Sequence, residues 1–334
     1  MRVVIAPDKF KGSLSAPNVA WHLEAGLQAG YAVHTEVPTG TDLEVIRIPV
    51  ADSGEGTLDA AVGSGFTRRS AVVSGPTGQP LRAEFAVRGR EAVIEMAAAS
   101  GLAVLPGGGP DSTSANRATS LGTGELIRAA LDAGCRQIIL GIGGSANTDG
   151  GAGVLQGLGA KLLDADGRDV STLDNALANF VQVLANEIGP RAVKAADAPG
   201  AGAAGGVGYA AIAVLAATRR PGIDVVLEFT ELADRLAGAD LVITGEGSLD
   251  EQSLLGKTPM GVARAAARAN IPVIAVCGRT TLSRKRLSES GFAQVYALTD
   301  LEADVDKCIA EAGPLLELLG KNTATRWSVS DEDA

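Results

Sequence analysis

Apolar residues recur along this chain in two different rhythms. Residues 2 to 6 (RVVIA) form a short β-branched run that stops at Pro7, and beyond Ser15 the residues Val19, Leu23 and Leu27 follow at i, i+4 and i+8. This combination predicts a buried strand feeding an amphipathic helix. The apolar run Val45 to Val50 repeats the theme, with a polar, glycine-rich turn and a helix start after it. The last third does so twice more: one strand ends near Thr244, another near Cys277, and FAQVYALTD supplies a final short strand. Strands alternating with helices predict a parallel sheet with right-handed crossovers.

In the middle the rhythm changes. Residues 68 to 96 alternate polar and apolar around the turn signals PTG and RGR, which suits antiparallel hairpins. A loop-like stretch, the helix GTGELIRAALDAG, the strand RQIIL, the glycine-rich run GIGGSANTDGGAG and a helix over 173 to 188 with Leu177, Val181 and Leu184 on one face follow. The outer segments resemble each other and the inner ones do not. The expectation is an α/β fold with a discontinuous parallel-sheet domain, residues 1–66 and 228–320, into which a second domain, 67–227, is inserted. The polar residues 321–334 read as a mobile C-terminal tail.

Composition narrows the function classes. A length of 334 residues is enough for two α/β domains. With 46% hydrophobic and 20% charged residues the chain is of the ordinary globular kind, and with only 3% aromatics its core must rest on Ala, Val, Leu and Ile. The 43 glycines cluster beside strand ends, where backbone approaches a ligand or takes positive φ. A net charge of -10, with no basic run interleaved with aromatics, argues against nucleic acid as a partner. It does not argue against an anionic substrate, because a few local lysines outweigh a diffuse field within a Debye length of about 8 Å. Cys135, Cys277 and Cys308 form no C-x-x-C pair and read as free buried thiols of a reducing compartment. The apolar N-terminus is too short for a signal peptide and no 18-residue apolar stretch occurs, so a cytoplasmic protein without a membrane partner is expected.

Chemistry concentrates at the strand ends. Asp8, Lys9, Lys11 and Ser13 follow the first strand; Asp52, Ser53, Glu55 and Thr57 the second; Thr244, Glu246, Ser248 and Asp250 a third. One Asp or Ser there is an ordinary helix N-cap. Three acidic, glycine-containing ends on one sheet edge mark the place where open parallel sheets gather ligands. Carboxylates at 8, 52, 55, 246 and 250 can hold a divalent cation or take the proton of an attacking hydroxyl, while Lys11 and Lys257 offset phosphate charge. Glycine-rich turns and helix N-termini add N–H donors for anions, which completes the parts that phosphoryl transfer needs. The P-loop pattern is absent, since GKT at 256 to 258 lacks its upstream glycine. The only histidines, His22 and His34, are poorly placed for a Ser-His-Asp hydrolase or a zinc site. Gly141, Gly143 and Ala146 also fit the dinucleotide pattern, with Asp164 about twenty residues on where a ribose-binding acid belongs, so an NAD oxidoreductase stands as an alternative.

Seven blocks occur in order: APDKFKGSLSA, VADSGEGT, EMAAASGL, TSLGTGELI, GIGGSANTDGGAG, PGAGAAGGVG and ITGEGSLDEQSLLGKTPMGVA. Together they make most of residues 1 to 280 similar to the bacterial type I glycerate kinase family. The resemblance implies a Rossmann-like parallel-sheet domain with an inserted second α/β domain and a substrate cleft between them. It implies transfer of the γ-phosphoryl of ATP to the 2-hydroxyl of D-glycerate with Mg2+, giving 2-phosphoglycerate and ADP. ATP and a small hydroxy acid are then the partners, and a homo-oligomer is compatible with it. Carried onto this chain, the motif residues imply roles. Asp8 or Asp149 is the base and Lys11 neutralises charge; Ser13, Glu55, Asp250 and Lys257 bind the acceptor; Thr123, Gly143, Gly144 and Ser145 hold phosphate; Asp52 and Glu246 ligate the metal.

The chain departs from the family pattern at Ser53, where D-G-G-E-G is usual, and at Ala146 to Asp149, where A-T-N-D is usual. Between Asp166 and Pro199 it also lacks several dozen residues containing C-D-V-x-N-P-L and F-G-P-Q-K-G stretches. Because that segment would help wall the cleft, a catalytically impaired, ligand-binding homologue is a further alternative.

Overall fold

The computed structural model describes residues 1–34, 43–52, 54–163, 166–168 and 177–329. In chain order the strands are β1 (Arg2–Pro7), β2 (Glu44–Arg47), β3 (Thr67–Ser74), β4 (Pro80–Arg88), β5 (Glu91–Glu95), β6 (Gln137–Gly141), β7 (Leu241–Leu249), β8 (Val273–Thr280) and β9 (Gln294–Ala297). The chain divides into two compact units, Met1–Asp52 with Gly222–Ala334, and Ser53–Pro221.

In the first unit the sheet order is β2-β1-β7-β8-β9, and every neighbouring pair is parallel. Val3, Ile5, Leu241, Ile243, Ile274 and Val276 of the sheet form one core with Val19, Leu23 and Leu27 of the helix Ala16–His34 and with Leu316 and Leu319 of the helix Ala312–Val329. The i, i+4, i+8 stripe is thus the buried face that the sequence predicts.

Residues 321–329 are not a mobile tail but the end of that last helix. Glycines on the partner helix explain why: a Cβ on Gly26 would stand 2.1 Å from the Glu317 carbonyl oxygen, and one on Gly30 2.6 Å from that of Lys321. The two backbones touch, so Thr323 and Ala324 are buried although their segment is polar in sequence.

β2 stops at Arg47, but Ile48 and Val50 still donate backbone hydrogen bonds to Ile5 and Pro7, so the chain runs beside β1 up to Val50. β7 runs past Thr244 to Leu249, which puts Glu246 and Ser248 on the strand and not in the loop after it. Close approach permits this, since a Cβ on Gly245 would lie 2.2 Å from the Val276 carbonyl oxygen and one on Gly278 2.6 Å from that of Gly247.

The second unit has a sheet ordered β3-β4-β5-β6, antiparallel in its first two pairings and parallel in the last. Val73, Phe85, Ile94 and Met96 pack on Leu126 and Ile127 of the helix Leu121–Asp132. A smaller core joins Phe180 and Leu184 of the helix Leu177–Ile188 to Tyr209. The first residues of the helix expected over 173 to 188 lie outside the described residues.

The units meet in sequence at 52 and 222, where the pattern suggested 66 and 228. The helix Thr57–Gly63 goes with the inserted sheet because Glu95 at the end of β5 accepts the backbone N–H of Gly56 and Leu58 at 3.0 and 2.7 Å. The helix Gly222–Phe229 goes with the first unit because Gly261 leaves no room for a Cβ against Ile223. All three cysteines are free and buried. Among the described residues no helix is long and apolar enough to cross a membrane.

Candidate active site

At the carboxyl edge of the parallel sheet, Asp8 is the first residue after β1, and its backbone N–H donates to the Gly245 carbonyl at 2.8 Å. That bond seats Asp8 beside Glu246 on the neighbouring strand. Each oxygen of the Asp8 carboxyl has a donor: Oδ1 accepts the Lys9 N–H at 2.7 Å, and Oδ2 accepts the Thr258 hydroxyl at 2.7 Å. Burial pushes the Asp8 carboxyl up to about 6; the two hydrogen bonds oppose the rise and the charge of Asp52 adds to it.

Glu246 behaves alike. Burial pushes it up to about 7, Ser253 and Lys257 oppose the shift, and Asp8 and Asp250 add to it. Its Oε1 is buried and has no hydrogen-bond partner among the described residues. Glu246 on β7 and Asp8 just after β1 are thus two buried acids at one sheet edge, and the charge of Asp8 disfavours that of Glu246.

The loop after Asp8 is pinned at its base and open at its tip. Phe10 and Leu14 form an antiparallel bridge, Gly12 has φ +80, and Lys11 at the tip is exposed. The loop crosses β7 at Gly247, where a Cβ would stand 3.1 Å from the Lys11 nitrogen. Ser13 turns away from this edge, its hydroxyl donating to the Ile309 carbonyl at 2.6 Å. Asp250 caps the short helix Glu251–Leu254, accepting the N–H of Gln252 and Ser253 at 2.9 and 3.0 Å. The Ser253 backbone bond, first among its causes, holds Asp250 below the usual carboxylate range.

In this unit, then, the fold gathers Asp8, Glu246, Lys257 and, by its charge, Asp52; Ser13 and Asp250 spend their polar atoms on the scaffold. Sequence reading passed over Thr258 and Ser253. The available signal was a hydroxyl at the first position of a helix, just before Pro259, which has to find a partner once buried.

In the inserted unit Asp149 is saturated. Its oxygens accept the Thr119 hydroxyl at 3.0 Å, the Ser120 N–H at 2.7 Å, the Asn147 amide at 3.1 Å, and the Gly151 and Gly153 N–H at 3.0 and 3.2 Å. The Ser120 hydroxyl joins them at 2.9 Å. Asp149 thereby ties together the starts of the helices Leu121–Asp132 and Ala152–Gly157. Thr123 is fully buried and gives its hydroxyl to Ser100 at 2.9 Å. The Ser145 hydroxyl bonds within its own loop, to Asn147 Oδ1 at 3.0 Å.

Gly143 and Gly144 form the turn after β6, Gly144 with φ +73, and the turn is fixed by the Leu102 N–H on the Gly144 carbonyl. The backbone N–H groups of Gly143, Gly144 and Ser145 have no acceptor among the described residues. Glu55 and Gly56 border a cavity of about 340 Å³ that Arg68, Arg82 and Glu95 also line. Asp164 and Ser53 lie outside the described residues.

The later glycines of the GIGGSANTDGGAG run serve packing. Gly150 donates to the Gly205 carbonyl at 2.8 Å, and a Cβ on Gly206 would stand 2.4 Å from the Gly150 Cα. The run and PGAGAAGGVG therefore interlock backbone to backbone. Gly205→Ala should be severe, because φ is +59 and the added Cβ would sit 2.0 Å from the Asn147 carbonyl oxygen. A loss of about 3 kcal/mol in urea unfolding is expected. Parental stability in the variant would mean that the two blocks separate freely.

The glycerate kinase family model matches this chain in two pieces, residues 3–172 and 165–328. The glycerate kinase of Bacillus subtilis (strain 168) is 36% identical, with 97% of each chain covered. The glycerate 2-kinase of Escherichia coli (strain K12) is 33% identical, with 100% of each covered. A crystal structure of a protein assigned as glycerate kinase 2 in Salmonella typhimurium LT2 matches at a TM-score of 0.80 and 34% identity over 99% of both chains. The alignment with the Escherichia coli protein needs 395 positions for the 334 residues here, so about 61 positions have no counterpart in this chain. The two pieces of the family match meet at 165–172, where the segment missing from this chain begins after Asp166. Similarity that runs through both the parallel-sheet unit and the inserted one, interrupted only there, leaves one conclusion: the chain belongs to the glycerate kinase family of phosphotransferases.

Proposed function

We propose that this chain transfers the γ-phosphoryl of ATP to the 2-hydroxyl of D-glycerate, giving 2-phosphoglycerate and ADP. The observation that carries the reading is the buried acid pair Asp8 and Glu246, with Lys257 beside it, at the carboxyl edge of a parallel sheet in a chain of this family. The acceptor oxygen forms the new bond to phosphorus as the bond to the β-phosphate oxygen breaks, leaving that electron pair on ADP. The hydroxyl proton passes to the Asp8 carboxylate, a base whose affinity for protons burial has raised toward the operating pH. Lys11 and Lys257 offset the phosphoryl charge, the task that dominates this chemistry. Backbone N–H groups of Gly143, Gly144 and Ser145 suit a phosphate oxygen, and Glu55 fits the acceptor side through the cavity it borders.

Some of the residues expected at the site act through others. Asp149 and Thr123 hold the glycine turn and its helix in place, Ser13 anchors the Lys11 loop, and Asp250 caps the segment that carries Lys257. Glu246, with an unpaired buried oxygen, and Asp52, exposed at the same edge, would hold a magnesium ion. Two carboxylates are what Mg2+ takes when phosphates and water complete its shell, in keeping with the lack of any three-residue acidic, His or Cys group among the described residues. When bound, such an ion supplies charge neutralisation at the transferring phosphoryl. Three free buried thiols fit a cytoplasmic setting.

The missing positions favour one rival, a homologue that binds ligands without turning over. ADP release with ATP and Mg2+ over a panel of small hydroxy acids separates the two. Release that depends on the acceptor, fastest with D-glycerate, is expected. No release with any acceptor, while ATP or D-glycerate still raises the melting temperature, would establish the binding-only homologue.

A further inference from the structure

We infer that Thr258 is a positioning residue for phosphoryl transfer, its hydroxyl locking the Asp8 carboxyl in the orientation that receives the acceptor's proton. The inference rests on the reading that Asp8 is the base.

The contact bridges 250 residues of sequence and is buried at both ends. An Asp carboxyl turns broadly about χ2 when nothing holds it. Here the Lys9 N–H holds one oxygen and the Thr258 hydroxyl the other, both at 2.7 Å, while the Asp8 backbone is tied to Gly245. Removing either donor frees the rotation and leaves a buried oxygen without a partner.

The support under Thr258 is rigid. Thr258 opens the eleven-residue helix Thr258–Arg268, followed by Pro259, and Gly261 packs that helix against Ile223. Helix formation itself does not require the hydroxyl, since this N-terminus has no side-chain cap and its N-cap is Lys257. Threonine is not a favoured helix residue, so the position is better explained by Asp8 than by the helix.

The same segment also serves the second acid. Ser253 is fully buried and, with Lys257, opposes the rise that burial gives the Glu246 carboxyl. Residues 250–258 thus bring a hydroxyl to Asp8 and the charge of Lys257 to Glu246.

The test compares Thr258→Val, Thr258→Ser and Asp8→Asn in the full-length protein, with ATP, Mg2+ and the best acceptor of the panel. For Thr258→Val, which keeps the shape and loses the donor, kcat should fall about 10- to 100-fold with both KM values within about twofold. Thr258→Ser restores the hydroxyl and should recover kcat to within about threefold of the parent, and Asp8→Asn should lose at least about 100-fold. Full activity in Thr258→Val beside an inactive Asp8→Asn overturns the positioning role and leaves Asp8 as base. Parental activity in Asp8→Asn overturns both. Equal losses in Thr258→Val and Thr258→Ser, accompanied by a lower melting temperature in each, assign Thr258 to packing and overturn the inference.

Discussion

Lys11→Ala is expected to lower kcat at least about a hundredfold while changing the free energy of unfolding by no more than about 1 kcal/mol. The two effects separate because the loop does not depend on this side chain for its shape. Buried Phe10, its bridge to Leu14, the left-handed Gly12 and the Ser13 bond to Ile309 all persist in the variant. What disappears is an exposed ammonium on a loop that crosses β7 one residue beyond Glu246. Steady-state ADP release together with a denaturant melt checks it. Unchanged kcat would remove Lys11 from the machinery, and a large stability loss would assign it to the scaffold.

Glu246→Gln should have two effects of opposite sign. Activity should fall at least about a hundredfold, because the variant loses a charge from the acid pair. Stability should rise, and only at high pH. The Glu246 carboxyl is raised by burial from its ordinary 4.5 to about 7 in the folded chain. Well below 4.5 it is protonated in both states and contributes nothing to the pH dependence. Between 4.5 and about 7 the unfolded chain releases the proton and the folded chain keeps it, so folding loses stability as pH climbs. Above 7 the whole cost is present, about 3 kcal/mol at most. Asp8, raised to about 6, adds a loss of the same sign over a lower window, so the parent itself should weaken between about pH 4 and pH 7.

Glutamine cannot ionise and escapes that cost. Melts of both proteins without divalent cations should therefore coincide near pH 4 and differ at pH 8, with Glu246→Gln the more stable. An equal difference at both pH values would show that burial does not hold the Glu246 proton. A functional group that destabilises its own fold is what a site under functional constraint is expected to contain.

Much of the architecture was legible in sequence. Runs such as RVVIA and IPVIAV read as buried strands, the 19, 23, 27 spacing as a helix face, and the alternation over 68 to 96 as antiparallel pairing, because each depends only on the period of side chains about a local axis. The ordered motif blocks carried the family, and the gap after Asp166 showed in the same residues.

Boundaries were harder to read. β7 outlasts its apolar run because glycines let neighbouring backbones close in, and residues 321–329 are helical because Gly26 and Gly30, some three hundred residues earlier, give them a surface. Residue identity also concealed roles. Asp8 and Asp149 look alike as motif acids, yet one has a single donor on each oxygen in a buried pocket and the other has its oxygens saturated by donors from Thr119 to Gly153.

The sequence by itself determined the order of strands and helices, the parallel sheet of the first unit, the antiparallel hairpins of the second and the membership of the family, since these follow from local periodicity and from motifs contiguous in the chain. Only the tertiary structure decided which acids are desolvated and what holds them. Burial and hydrogen bonding depend on partners as remote as Thr258 is from Asp8, and no local pattern encodes the distance between them.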